Sequence, residues 1–170
     1  MDYMKLPFMI IRPSGLPFVD EILSTLSQEG LSVEHRVVIS DWVNAAHHLY
    51  FDKFGDEATS NLQVGARAWL ESTAILFGRK ALLYVVKQDR ELNQNWVIET
   101  LLLLKKIKLG YRKSRATEKE RITITCSFLG ETYPVFFDYI HSPDPDPNRL
   151  TQEWLWLKNH GALGHFERCL

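Results

Sequence analysis

A chain of 170 residues with 45% hydrophobic and 24% charged residues can bury one proper core, and this composition excludes extended disorder. Twenty Lys and Arg against 21 Asp and Glu leave a formal charge of −1, which gives no bulk electrostatic sign of binding to nucleic acid or to a membrane. We therefore expect a single domain over residues 1–170, in which any anionic ligand is held by local charges.

The cysteines and the N-terminus bear on the compartment. Cys126 and Cys169 have neither the spacing of metal ligands nor the number that a disulfide framework needs. The N-terminal residues lack a long apolar segment with a cleavage site, and the apolar run over residues 101–104 is far too short to span a bilayer. These features predict a cytoplasmic protein that does not associate with membranes.

The first part of the chain alternates strand-like and helix-like segments. The apolar run over residues 8–11 predicts a strand, which the turn residues 12–15 terminate. Apolar positions over residues 18–26 recur with a helical period, and Gly30 stands where a helix C-cap belongs. Residues 31–40 alternate well enough for a second strand.

The remaining segments complete a mixed pattern of strands and helices. The next elements are a helix over residues 41–54 capped by Asp41, helix-compatible sequence over 56–79, a strand over 81–86 and a helix over 95–109 that Gly110 ends. A charged connector over 111–121, a hairpin of strands 122–128 and 135–140, and a last helix over 148–160 follow. This order predicts an α+β fold of the ferredoxin-like split βαβ type, an antiparallel sheet covered by helices on one face.

The stretch over residues 133–156 joins an aromatic strand to a helix through a proline-rich loop. The strand ends at His141, and three prolines alternating with aspartates over residues 143–147 force an exposed loop directly after it. A helix that begins near Asn148 brings Glu153 back toward the strand end, where its carboxylate can accept from one imidazole nitrogen. An oriented histidine nucleophile is one interpretation, and a purely structural His–carboxylate pair is the other.

Several short stretches, in the right order along nearly the whole chain, resemble the nucleoside diphosphate kinase family. Residues 12–15, Arg-Pro-Ser-Gly after the first strand, resemble that family's Lys-Pro-Asp-Gly, and residues 47–50, His-His-Leu-Tyr, are similar to its His-Tyr. Residues 139–144, Tyr-Ile-His-Ser-Pro-Asp, resemble Ile-Ile-His-Gly-Ser-Asp. Glu153 and Trp156 match the Glu and Trp of the helix that follows in the family.

The resemblance implies a phosphotransferase in which His141 takes the terminal phosphate of a nucleoside triphosphate and passes it to a nucleoside diphosphate. Glu153 would orient His141, Tyr50 would approach the phosphates or the histidine, and Arg12 would replace the family's phosphate-binding lysine. The resemblance further implies a nucleotide bound with Mg²⁺ and a homo-oligomeric assembly. No metal site made of protein ligands is predicted.

Two more nucleotide-binding residues follow from the resemblance, together with one departure. Asp138 occupies the position of an asparagine that contacts the sugar. Arg112, Arg115 and Arg121 are candidates for the later phosphate-binding arginine, and Arg115 is carried into the candidate site. The family's motif that supplies an arginine and a threonine to the phosphates falls on residues 93–110, where it is absent.

Residues 93–110 instead carry Lys105, Lys106 and Lys108. We expect these lysines to form a solvated helix face, and replacement charge for the phosphates is the alternative. Because the phosphate-binding motif is missing, the alternative function is a catalytically inactive nucleotide-binding or oligomerisation module with the same fold.

Overall fold

The computed structural model describes residues 2–51, 70–71, 73–116 and 139–169, with residues 50–51 and 112–116 described by their backbone alone. The strands over these ranges are β1 (Phe8–Ile11), β2 (Leu31–Ile39), β3 (Ala81–Gln88), β4 (Ile140–His141) and β5 (Phe166–Arg168). The longer helices are α1 (Val19–Gln28), α2 (Trp42–Phe51), α3 (Trp96–Ala116) and α4 (Pro147–Asn159). Short 3-10 turns cover Tyr3–Lys5 and Pro13–Phe18, and residues 70–71 and 73–77 are helical.

The strands form one antiparallel sheet in the order β4-β1-β3-β2-β5. The first four strands in the order 4-1-3-2, with helices in the β1–β2 and β3–β4 connections, give the split βαβ arrangement of ferredoxin-like folds. The predicted α+β class with an antiparallel sheet and helices is therefore confirmed, and β5 is an addition at the outer edge of β2.

The two central strands are buried on both faces of the sheet. Every residue of β1 is buried, and so are the first six residues of β3. Because successive side chains of a strand point to opposite faces, a sheet covered on one face would leave alternate residues exposed. The centre of this sheet is therefore covered on both faces, whereas the element order predicted cover on one face only. His141 lies in this part of the fold, next to β1.

The helix ends match the sequence prediction in one case and differ in another. Gly30, at φ +75°, follows Glu29, the C-cap residue of α1, and so ends this helix within one residue of the predicted position. Gly110 does not end α3, which continues to Ala116. Tyr111, the next residue of the helix, has its hydroxyl 3.1 Å from Thr25 Oγ1 of α1 and its ring centroid 6.4 Å from that of Tyr139. The predicted charged connector therefore begins as helix.

Other predicted elements agree with the structure or lie beyond its described ranges. Asp41 caps α2, since its Oδ1 accepts from the Asn44 backbone N–H at 3.2 Å. The predicted strand over residues 122–128 and most of the strand over 135–140 lie outside the described residues. Across the part of the chain that is described, none of the helices combines the length and apolar character needed to cross a bilayer.

Candidate functional site

His141 is held at the end of the short strand β4, next to the centre of the sheet. It pairs with Ile10 of β1 in antiparallel register. Ser142 and Pro143, which follow it, are buried, and the chain becomes exposed only at Asp144. The predicted exposed loop therefore begins three residues after His141 rather than directly after it, because the first two residues still pack against the domain.

The Asp-Pro pair at the end of the proline-rich loop sets the start of α4. Asp146 caps the helix, with its Oδ1 accepting from the Asn148 backbone N–H at 2.9 Å. Pro147 occupies the first turn, where its missing N–H costs nothing. The helix thus begins one residue earlier than predicted, and its second turn carries Glu153 back to the strand end.

Glu153 and His141 form a close buried pair. Glu153 Oε1 lies 2.6 Å from His141 Nε2, and the two side chains are 1% and 6% exposed. An ionised carboxylate can only accept a hydrogen bond, so Nε2 must carry the hydrogen opposite it. In a neutral ring the lone pair then sits on Nδ1. The contact predicted from sequence spacing is present, and it selects one tautomer of the imidazole.

The surroundings of His141 favour its neutral form. Burial is the largest influence on the pKa of His141 and lowers it, whereas Glu153 acts in the opposite direction. The positive charges of Arg12 and Lys108 lower the pKa further. His141 therefore remains an uncharged imidazole at neutral pH, which is the nucleophilic form.

Arg12 lies beside the same aromatic ring as His141. Its guanidinium carbon is 5.6 Å from the centroid of the Trp42 ring, and the Trp42 and His141 ring centroids are 6.3 Å apart. The structure thus brings together three of the residues that the sequence selected, namely His141, Glu153 and Arg12. Trp42, which lies in the helix predicted over residues 41–54, is a neighbour of both Arg12 and His141.

The turn that carries Arg12 is fixed against the strand that carries His141. The Arg12 backbone N–H donates to the Tyr139 carbonyl at 2.8 Å. A Cβ atom on Gly15 would lie 2.7 Å from that same carbonyl oxygen, so only glycine allows this approach. The Arg-Pro-Ser-Gly turn therefore owes its glycine to close packing on the residues just before His141.

Lys108 is less exposed than the two neighbouring lysines of α3. Lys105 and Lys106 are exposed, and Lys106 Nζ lies 3.9 Å from Glu29, as expected of a solvated face. Lys108 is half-buried, and its charge acts on His141. The expected solvated face thus describes two of the three lysines. The third adds a second positive charge near the imidazole, of the kind that stabilises phosphate oxygens.

Arg149 is a charged neighbour of Glu153 that the sequence reasoning missed. Its Nε lies 3.3 Å from Glu153 Oε2, one helical turn away in α4. The signal was available, because an Arg four residues before a Glu on a predicted helix is a pair that faces the same side. A spacing alone could not show that this pair is buried.

Three of the predicted nucleotide-binding residues have no described side chain. Tyr50 lies in α2 and Arg115 lies in α3, both described by their backbone alone. Asp138 lies outside the described residues. Their contacts with a nucleotide stay predictions. Among the described residues, no group of three or more His, Cys, Asp or Glu is arranged to hold a metal ion.

A cavity of about 670 Å³ lies elsewhere on the sheet. It is lined by Gln88 at the end of β3, together with residues of α3 such as Leu102 and Lys106. Gln88 is five residues along β3 from Leu83, the partner of Ile10, and five residues of strand span roughly 16 Å. This cavity is therefore separate from the site around His141.

Comparisons with known proteins give distant structural similarity alone. No protein-family model matches this chain, and no curated protein matches it in sequence. A nucleoside-diphosphate kinase from Borrelia burgdorferi, solved as a transition-state mimic with bound vanadate and ADP, is 12% identical at a TM-score of 0.49, covering 95% of this chain and 91% of that chain. An NDP kinase from Pyrobaculum aerophilum is 13% identical at a TM-score of 0.49, covering 89% and 94%. Likeness at this level decides neither the activity nor the site.

Proposed function

We propose that this chain is a phosphotransferase that moves the terminal phosphate of a nucleoside triphosphate to a nucleoside diphosphate through a phosphohistidine at His141. The observation that carries the proposal is the buried His141–Glu153 pair at 2.6 Å, in which the carboxylate places the ring hydrogen on Nε2 while burial favours the neutral ring, so that the lone pair lies on Nδ1. The positive charges of Arg12 and Lys108 near that ring support the same function. The resemblance of residues 12–15 and 139–144 to nucleoside diphosphate kinase motifs supports it from the sequence.

The proposed reaction proceeds in two matching half-reactions. His141 Nδ1 attacks the γ-phosphorus, a P–N bond forms, the bond to the β–γ bridging oxygen breaks, and a nucleoside diphosphate leaves. The ring becomes cationic, and the Glu153 carboxylate stabilises that charge through Nε2–H. A terminal phosphate oxygen of the acceptor diphosphate then attacks the phosphohistidine and restores neutral His141. Arg12 and Lys108 would neutralise phosphate oxygens, and Mg²⁺ would arrive with the nucleotide as part of the substrate.

The test is covalent labelling of the purified full chain with γ-labelled ATP and Mg²⁺. We expect label that is labile in acid and stable in alkali, and that passes to an added nucleoside diphosphate. His141→Ala should abolish it, whereas His165→Asn, a change at an exposed histidine, should leave it intact. Label that persists in His141→Ala would contradict the proposal.

Nucleotide binding without transfer is the second candidate function. The observation that favours it is the burial of His141, whose side chain is only 6% exposed and so offers little surface to a phosphate. Under this alternative the protein would bind a nucleoside triphosphate in titration calorimetry, and Arg12→Met would weaken that binding. The same protein would carry no acid-labile label.

A further inference from the structure

Arg149 is held in place by three groups next to the His141–Glu153 pair. Its Nε lies 3.3 Å from Glu153 Oε2, and its Nη2 donates to the Leu49 carbonyl of α2 at 3.0 Å. Its guanidinium carbon lies 4.4 Å from the centroid of the Trp156 ring. The side chain is 16% exposed, so this cation is largely removed from water in one fixed orientation.

Glu153 is the charge that Arg149 faces. The carboxylate is 1% exposed, and one oxygen is near His141 while the other is near Arg149. A carboxylate buried to this extent stays ionised only if a cation compensates it. Arginine keeps its proton under all ordinary conditions, whereas an imidazole can gain or lose one. Arg149, rather than His141, is therefore the permanent positive charge beside the Glu153 carboxylate.

We propose that Arg149 sets the tautomer of His141 by holding the Glu153 carboxylate: its guanidinium faces Oε2, so that Oε1 accepts from Nε2–H and Nδ1 carries the lone pair. Arg149 is thus a positioning residue that acts through Glu153. Two further described residues whose charges act on His141, Arg12 and Lys108, are both positive. They favour a neutral ring whichever nitrogen bears the hydrogen, so they do not select the tautomer.

Removal of Arg149 has a definite consequence for the imidazole. In Arg149→Met, Glu153 keeps its burial and loses its cation, so the pair takes up one proton from solvent. If that proton goes to Glu153 Oε1, which has Nε2 as an acceptor at 2.6 Å, the carboxyl donates to Nε2 and the ring hydrogen sits on Nδ1. If it goes to His141, both nitrogens carry hydrogen. Both outcomes place a hydrogen on Nδ1, whereas a proton on Oε2 would leave the tautomer unchanged and would overturn the inference.

Long-range ¹H–¹⁵N NMR of the full chain at pH 7.5 tests this directly. His141→Asn identifies the His141 signals among the six histidines of the chain. We expect an unprotonated Nδ1 in the wild type and a protonated Nδ1 in Arg149→Met. The matched control is Arg36→Met, which breaks an exposed Arg36–Glu167 pair of 2.6 Å and should leave the His141 signals unchanged. An unchanged tautomer in folded Arg149→Met overturns the inference.

A double-mutant cycle keeps the test decisive if Arg149→Met folds poorly. In the Glu153→Gln background there is no buried carboxylate to compensate, so adding Arg149→Met should cost little stability. We expect Arg149→Met/Glu153→Gln to be folded and more stable than Arg149→Met alone. An equal cost in both backgrounds, or an unfolded double variant, would show that Arg149 only packs and would overturn the inference.

The consequence for activity rests on the proposed function. If Nδ1 is the nucleophile, Arg149→Met should lower the labelling rate by about 100-fold or more, because a wrong tautomer disables a reacting imidazole. The phosphotransfer proposal and the proposed role of Arg149 can be refuted independently. A wild type that never labels, with the tautomer change intact, would refute the phosphotransfer and leave the role of Arg149 standing.

Discussion

Two Arg–Glu pairs of this protein show how burial changes the effect of the same chemistry. The Arg36–Glu167 pair has side chains 44% and 51% exposed, and water screens such surface pairs so that they contribute little to stability. The pair of Glu153 with Arg149 is shielded from water, so losing either member leaves a charge that must be neutralised. At the residue scale, burial therefore makes this ion pair govern the proton positions on His141.

The lowered pKa of His141 predicts a pH dependence of stability. As pH falls below the ordinary histidine pKa of 6.5, the unfolded chain binds a proton at His141 before the folded chain does. The contribution of neutral His141 to the free energy of unfolding is thus complete above pH 6.5. It is lost as pH falls through the lower pKa that His141 has in the folded state. The free energy of unfolding should drop by at most about 1.4 kcal/mol per pH unit from this group.

Chemical denaturation of the wild type and His141→Asn at several pH values between 5 and 8 measures this contribution. Asparagine cannot take up the proton, so the variant should have a shallower acid dependence. The difference between the two slopes measures the contribution of His141 together with its interaction with Glu153. Parallel slopes would mean that His141 titrates alike in both states, contrary to its burial.

Two glycines in different elements illustrate how the setting of a residue decides its role. Gly15 sits in the 3-10 turn after β1, where a Cβ atom would lie 2.7 Å from the Tyr139 carbonyl oxygen. Gly110 sits inside α3, and no atom of the described residues beyond the helix's own backbone lies within 4 Å of its Cβ position. The first glycine permits a close contact between backbones, whereas the second only weakens a helix.

We therefore expect substitution by alanine to have opposite effects on stability at the two positions. Gly15→Ala should destabilise the protein by about 1–3 kcal/mol, because backbone must move to accept the new atom. Gly110→Ala should stabilise it by about 0.5–1 kcal/mol through helix propensity. Midpoints of urea unfolding for the two variants measure both changes. Loss of stability in Gly110→Ala would contradict the helical assignment at that position.

At the scale of the whole molecule, α4 joins the candidate site to the N-terminal part of the chain. Trp154 is buried beside Glu153, its Nε1 donates to the Leu6 carbonyl at 2.9 Å, and its ring packs edge-on against Phe8 of β1 at 4.6 Å. The helix that carries Glu153 and Arg149 is therefore fixed by the same core that fixes β1. The placement of Glu153 and Arg149 in the site therefore depends on how α4 packs against β1 and the residues before it.

The resemblance to nucleoside diphosphate kinases also leads us to predict self-association of whole chains. Sedimentation velocity at several protein concentrations should show a species larger than one chain, with a fraction that rises with concentration by mass action. His141→Asn should associate like the wild type, since assembly does not use the reacting nitrogen. A strict monomer at every concentration would contradict this prediction.

The sequence alone was sufficient for the local elements and for one tertiary contact. Hydrophobic periodicity predicted β1, α1 and β2 closely, because each pattern reflects which side of an element is buried. The spacing from His141 to Glu153 predicted their pairing, because the prolines limit where the chain can turn and where α4 can begin.

Only the tertiary structure decided which charges reach the imidazole. Lys108 belongs to a run of lysines that looks uniformly solvated in sequence, and its burial depends on how α3 packs against the sheet. Arg149 and Glu153 have the spacing of a surface pair, and nothing local shows that their side chains are shielded. Burial is a property of the assembled core, so the electrostatics that follow from it are fixed only when the elements pack together.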